Sequence, residues 1–180
     1  MNAELSDFIR LNHIDEEVLY DALHKDILES ILSEVCEYMK SKDSSYISMK
    51  RIYYRSANDI DAVKQIVQNV CHLSLSEQDL RWLNNCIKAF MKKQPHRKQF
   101  SNSMRIELWK EQGQKCRICG KEISAEDGHI DHMVPWDYVG DELENNFQVL
   151  CADCNLHKSN HVALTVHSLV FHKMKKGVLV

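Results

Sequence analysis

Apolar residues recur every three or four positions through the first half of the chain, and that rhythm then stops. Residues 15–40 place Val18, Leu19, Ala22, Leu23, Ile27, Ile31, Leu32 and Val35 on one stripe, which predicts a long helix with those side chains inward. Lys40 to Ser45 is polar and reads as a loop. A second helix is expected after Asn58 and Asp59, which can cap it, running to about His72 with Ile60, Val63, Ile66, Val67 and Val70 inward. A third starts at the capping box Ser76 to Asp79 and carries Leu80, Leu83, Ile87 and Phe90. Ser103 then caps a short helix, Met104 to Gln112, which Gly113 ends.

From there the pattern is of short extended pieces and loops. Strands are expected at His129–His132 and Phe147–Leu150, and a helix from near Ala152 past Lys158. A last helix, roughly Ala163 to Lys175, carries Leu164, Leu169, Val170 and Phe171. The chain therefore reads as a mostly helical α+β protein, with a helical unit at 1–95 and a second unit at 96–180. The boundary falls in Lys88–Lys98, which holds five Lys or Arg residues in eleven and is broken by Pro95. This stretch is either a solvated helix end and linker or a strip that touches nucleic-acid backbone through Lys92, Lys93, Arg97 and Lys98.

Composition sharpens this only in places. A chain of 180 residues with 44% hydrophobic content can bury real cores. No run of 18 apolar residues predicts a membrane span, and the start, MNAELSDFIR, is acidic where a signal peptide would be basic and then apolar. A reducing cytoplasm is the expected setting. The net charge of −3 hides an asymmetry: residues 1–85 carry 15 acids and 9 Lys or Arg, whereas residues 86–180 carry 11 acids and 14 Lys or Arg. The positive half suits a polyanion.

Seven cysteines fall into two groups. Cys36, Cys71 and Cys86 lie in apolar helical contexts and read as small buried hydrophobes. Cys116-x-x-Cys119 and Cys151-x-x-Cys154 have the spacing of two zinc knuckles, and Gly120 permits the tight turn after the first. Four thiolates close a tetrahedral shell and leave no open position, so the expected zinc is scaffolding that pins a hairpin and a helix.

Between and just after the knuckles stand Ile130-Asp131-His132-Met-Val-Pro135, Glu144-Asn-Asn146-Phe-Gln-Val-Leu150 and Asn155-Leu-His-Lys158. In order and spacing, over about a quarter of the chain, these residues and the two knuckles resemble the HNH endonuclease family, the ββα-metal nucleases. The resemblance implies a ββα-metal domain stapled by zinc, with a further helix after it. It implies His132 as the general base that activates water and Asp131 as a carboxylate ligand of a catalytic cation. Asn146 would brace the loop holding the histidine, and Asn155 would be the second protein ligand. The final position of the motif is often histidine, and an asparagine there favours a hard cation, Mg²⁺ or Mn²⁺. His157 and His161 lie close enough in sequence to substitute as ligands.

The chemistry is coherent in its own terms. Neutral imidazole can take a proton from water near pH 7, and a cation can neutralise charge growing on phosphoryl and leaving-group oxygens. The expected function is metal-dependent hydrolysis of DNA; the resemblance implies that a 5′-phosphate is left, and that the module is of the kind used in restriction, phage defence and mobile elements. Residues 1–95 would then serve specificity, homodimerisation or a partner protein. Two other readings stay open: a non-catalytic zinc-ribbon module that grips nucleic acid or protein, and a nuclease for structured RNA. Lys158 is either a phosphate contact or part of a solvated helix face. Trp136 and Tyr138 either stack on a base or sugar or wedge over the zinc loop. His129 reads as a surface residue sharing a strand face with Asp131.

Overall fold

The computed structural model describes residues 3–44, 47–55 and 60–169. Five helices come first: α1 (Ala3–Leu11), α2 (Glu16–Lys40), α3 (Ile47–Arg55), α4 (Ile60–Cys71) and α5 (Glu77–Lys92). There follow α6 (Asn102–Glu111), β1 (His129–His132), α7 (Trp136–Val139), β2 (Phe147–Leu150) and α8 (Ala152–Lys158). The protein is a mostly helical α+β chain, with one small antiparallel sheet among the described residues. Among the described residues no helix is long and apolar enough to cross a membrane.

Helix α2 starts where Asp15 accepts hydrogen bonds from the amides of Glu17 and Val18 at 2.8 and 3.2 Å. Its inward face differs from the predicted stripe. Leu19, Ala22, Ile31, Leu32 and Val35 are buried, but Val18, Leu23 and Ile27 are exposed while Leu28, Tyr38 and Met39 are buried. At 1.5 Å per residue α2 is about 37 Å long. Its packing partners α4 and α5, with 12 and 16 residues, are shorter.

Helix α3 was not expected, because Ile52, Tyr53 and Tyr54 break the three–four spacing. Tyr53 turns inward and its hydroxyl donates to Asn84 Oδ1 on α5 at 2.8 Å. Ser76 caps α5 as expected, its Oγ accepting from the Asp79 amide at 3.1 Å and donating to the Asp79 carboxylate at 2.7 Å. Helix α6 is capped by Ser101 rather than Ser103, since Ser101 Oγ is the oxygen that receives the Met104 amide. Helix α8 stops at Lys158 instead of running on, because Ser159 adopts φ 47°. The following helix begins after Thr165, whose Oγ1 accepts from the Ser168 amide at 3.0 Å, and not at Ala163. Asn58, Asp59 and residues 170–180 of the expected helices lie outside the described residues.

The larger core joins Ile31, Leu32 and Val35 of α2 to Val63, Ile66 and Val67 of α4 and Leu83 and Ile87 of α5. It does not end with the first five helices. Val134 and Val139 are part of it, with Tyr138, Leu143 and Val162 packed at its margin. Cys36 and Cys86 sit within this core and Cys71 packs against it. Burial raises all three thiols, Cys36 to about 12, so these thiols stay protonated. A second, smaller cluster gathers Leu150 with Cys116, Cys151 and Cys154, and Ile118 and Ile123 at its edge.

Candidate functional site

The sheet pairs His129 with Leu150, Ile130 with Val149, Asp131 with Gln148 and His132 with Phe147. Cys151 follows β2 directly and Cys154 lies in the first turn of α8. The other knuckle is a turn: Cys116 N–H donates to Lys121 O at 2.8 Å, Gly120 N–H donates to Cys116 O at 3.0 Å, and Gly120 takes φ 67°. Arg117 N–H donates to Val149 O, tying this turn to β2. Gln112 fixes the same strand from α6, accepting from Val149 N–H at 2.7 Å and donating to its carbonyl at 3.0 Å.

These elements bring four sulfurs together. All four Sγ atoms lie within 4.8 Å of one another, and Cys119 and Cys151 are 3.9 Å apart. A zinc tetrahedron with bonds near 2.3 Å has S–S edges of about 3.8 Å, so the cluster fits this ion. Among the described residues it is the one group of three or more Cys, His, Asp or Glu ligand atoms so gathered. Crowding splits the thiols: a hydrogen bond from Cys154 pulls Cys116 down and pushes Cys154 up. A divalent cation at the centre removes that competition by favouring all four thiolates.

Asp131 and His132 end β1 on opposite faces. Asp131 Oδ2 accepts from Gln148 Nε2 at 2.7 Å and faces Lys158 Nζ at 3.0 Å. Lys158 also donates to the carbonyl of His132 at 2.8 Å, and its side chain is only 1% exposed. The phosphate contact considered for Lys158 is not the geometry observed, since its ammonium faces inward and rivets α8 to β1. Replacing it by methionine leaves a mostly buried carboxylate and a carbonyl without their cation. Lys158→Met is expected to lower stability by about 3 kcal/mol, read as an earlier urea midpoint. An unchanged midpoint contradicts the rivet.

Asn146 is buried and clasps one residue of the loop after His132. Its Oδ1 accepts from Val134 N–H at 2.7 Å, and its Nδ2 donates to Val134 O at 2.9 Å. Its own carbonyl accepts from Met133 N–H at 2.8 Å. Asn155 is half-buried on α8, one residue beyond Cys154. His129 is exposed and His157 half-buried, while His161 Nδ1 lies 3.3 Å from Glu29 on α2.

A ββα unit thus closes around four thiolates, with Asp131 and His132 at the end of its first strand. Residues 116–161 match the family model of HNH endonucleases. No curated protein and no solved structure matches the chain.

The environment of the histidine in this HNH segment is the feature the sequence did not announce. His132 is 2% exposed. Its ring contacts Phe147 and Phe100 edgewise or tilted, at centroid distances of 4.8 and 5.7 Å. Arg97 Nη2 lies 3.2 Å from Nδ1, and Asp141 Oδ1 lies 2.9 Å from Nε2. Guanidinium only donates, so Nδ1 accepts, and Nε2 carries the proton given to Asp141. Burial lowers the imidazole from its ordinary value, against the pull of Asp141, so the ring is held neutral. Burial also pushes Asp141 up, but donors from Lys98 N–H, His132 and Trp136 Nε1 outweigh it and keep the carboxylate ionised.

The basic strip crosses over the HNH segment. Lys93 donates to Asp137 O at 2.8 Å and stands 4.1 Å over the Trp136 ring, where Arg97 also approaches at 6.0 Å. Gly140, at φ 60°, admits this strip: a Cβ there would lie 2.8 Å from Lys93 Cγ. Lys98 reaches Glu142 at 4.0 Å, and Lys92 is exposed. Trp136 therefore packs under the strip and not over the zinc loop, and Tyr138 packs on the larger core. Sequence reasoning gave no role to Asp141, Phe100, Gln112 or Gln148: Asp141 and Phe100 fall in no motif, while Gln148 lies unremarked within the Glu144–Leu150 stretch and Gln112 at the end of a predicted helix.

Proposed function

We propose that the protein is an HNH endonuclease that hydrolyses phosphodiester bonds in DNA with the help of Mg²⁺ or Mn²⁺. The observation that carries this reading is the coincidence of the family match with Asp131 and His132 on the strand beside a thiolate cluster. In this reading His132, neutral at pH 7, takes a proton from water as the water oxygen attacks phosphorus. The ester bond to the departing sugar oxygen breaks and a 5′-phosphate is left. Asp131 and Asn155 would hold the divalent cation, which supplies neutralisation of charge on the phosphate oxygens. Their oxygen-only donor set suits a hard ion, and Asp131 makes both of its contacts through Oδ2, which keeps Oδ1 for the cation. Asn146 keeps the loop after His132 in one place. Zinc in the four-cysteine site maintains the scaffold.

Lys92, Lys93, Arg97 and Lys98 supply positive charge toward nucleic-acid backbone. We assign residues 1–95 to target or partner recognition, with a second copy or a second nick completing a double-strand break, in a reducing cytoplasm. The test is supercoiled plasmid incubated with the protein and Mg²⁺ or Mn²⁺ over a range of salt. Nicked circles that vanish with chelator are expected. Plasmid that stays supercoiled while retarded in a gel favours a binding module, and structured RNA cut in its place moves the substrate class.

A further inference from the structure

A base must have a free lone pair, and His132 has none in this structure. Its Nε2 proton is given to Asp141, and its Nδ1 lone pair receives a hydrogen bond from Arg97. The two partners arrive from different places. Asp141 belongs to the loop after α7 and is held by Trp136 Nε1 at 3.1 Å and the Lys98 amide at 2.8 Å. Arg97 belongs to the strip between α5 and α6, which also lays Phe100 against the ring.

We infer that Asp141 is a positioning residue that fixes Nδ1 as the proton-accepting atom of His132, and that Arg97 masks this atom until a phosphate draws the guanidinium away. The inference rests on His132 being the base proposed above. Its asymmetry is chemical. The Nε2–H to carboxylate bond strengthens when the ring becomes imidazolium, so Asp141 favours the state in which Nδ1 has taken the proton. The Arg97 to Nδ1 bond cannot survive that step, because imidazolium offers no acceptor and repels guanidinium. Guanidinium pairs with phosphate through two parallel hydrogen bonds, stronger than one bond to a neutral imidazole, so an arriving phosphodiester competes for Arg97. When it does, water replaces Arg97 at Nδ1. The water proton passes to Nδ1, its oxygen bonds to phosphorus, the ester bond to the sugar oxygen breaks, that oxygen takes a proton from solvent to leave as a hydroxyl, and the imidazolium later returns its proton to solvent. The masking also keeps the free protein idle without a separate inhibitor.

The first experiment needs no activity. Nitrogen-15 spectra of imidazole-labelled protein, with His132 assigned by comparison with His132→Gln, should show the Nε2–H tautomer with a hydrogen-bonded Nδ1 in the free wild type. Arg97→Ala should shift the Nδ1 resonance and leave the Nε2–H in place. A free wild-type ring protonated on Nδ1 overturns the inference. The second experiment compares turnover of bis(4-nitrophenyl) phosphate and of supercoiled plasmid with Mn²⁺. For Arg97→Ala, turnover of the small diester rises several-fold while KM for plasmid also rises. For Asp141→Asn, kcat falls on both substrates with KM little changed, by a part of the roughly 10²–10⁴-fold that acid–base catalysis contributes. If Arg97→Ala lowers small-diester turnover, Arg97 is a phosphate contact alone and the masking is wrong. If Asp141→Asn keeps full kcat, the positioning role is wrong. If Asp141→Asn does not fold, the wild-type spectrum decides. If wild type cuts nothing, or His132→Ala cuts as well as wild type, the nuclease reading fails, and the spectrum still reports how the ring is held.

Discussion

Cys154→Ser is expected to lose bound zinc and the fold of the HNH segment together. Cys154 is 1% exposed and belongs both to the four-sulfur cluster and to the small cluster around Leu150. The thiolate end has little apolar core of its own: the smaller cluster has Leu150 as its one fully apolar buried residue, with Ile118 and Ile123 at the edge. Apparent zinc-binding energies in small four-ligand sites are roughly 10–16 kcal/mol, comparable to the whole stability of an ordinary domain. Losing one thiolate removes much of that and leaves a hydroxyl in an apolar setting. The larger core of α2, α4 and α5 contains no zinc ligand, so most helical signal should remain. The measurements are zinc content per chain and amide spectra, which should show dispersion lost from the resonances of 116–158 first. Native zinc content with an unchanged thermal midpoint would show that the thiolates are not the scaffold.

His132→Ala is expected to reduce plasmid cleavage by roughly 10²–10⁴-fold, the contribution of a positioned general base. The substitution also removes a ring packed between Phe100 and Phe147 and releases Arg97 and Asp141, so some stability is lost as well. The two effects separate cleanly. Zinc content and cooperative melting report the fold, while cleavage at saturating Mn²⁺ well below the melting transition reports the base. Asp131→Ala offers the complementary result, a deficit that depends on metal concentration. Full cleavage by folded, zinc-loaded His132→Ala would remove the residue from the chemistry.

Much of this architecture was legible because it is local. Ser76 announced a helix start through a hydrogen bond spanning three residues, and both strands have the expected bounds. The thiolate cluster was legible because two Cys-x-x-Cys turns can meet at one ion with little choice of geometry. What stayed hidden depends on distant partners. Lys158 looked like a surface cation, yet its neighbours are 26 and 27 residues away, on β1. Asp141 gave no signal because its role is defined by Lys98, 43 residues earlier, and by a ring nine residues before it. Arg97 stood in the sequence as one charge of a basic strip, and nothing in its neighbourhood pointed to His132. The inward face of α2 differs from its apolar stripe for the same reason, since which face is covered depends on where α4 and α5 pack.

The HNH segment lends Val134 and Val139 to the hydrophobic interior built by α2, α4 and α5. The two halves of the chain are therefore not beads on a string. A fragment cut free at residue 95 would carry an oily scar where those valines had been sheltered, and the helices left behind would have an open notch. Grafting this segment onto another protein would require taking its helical cradle along.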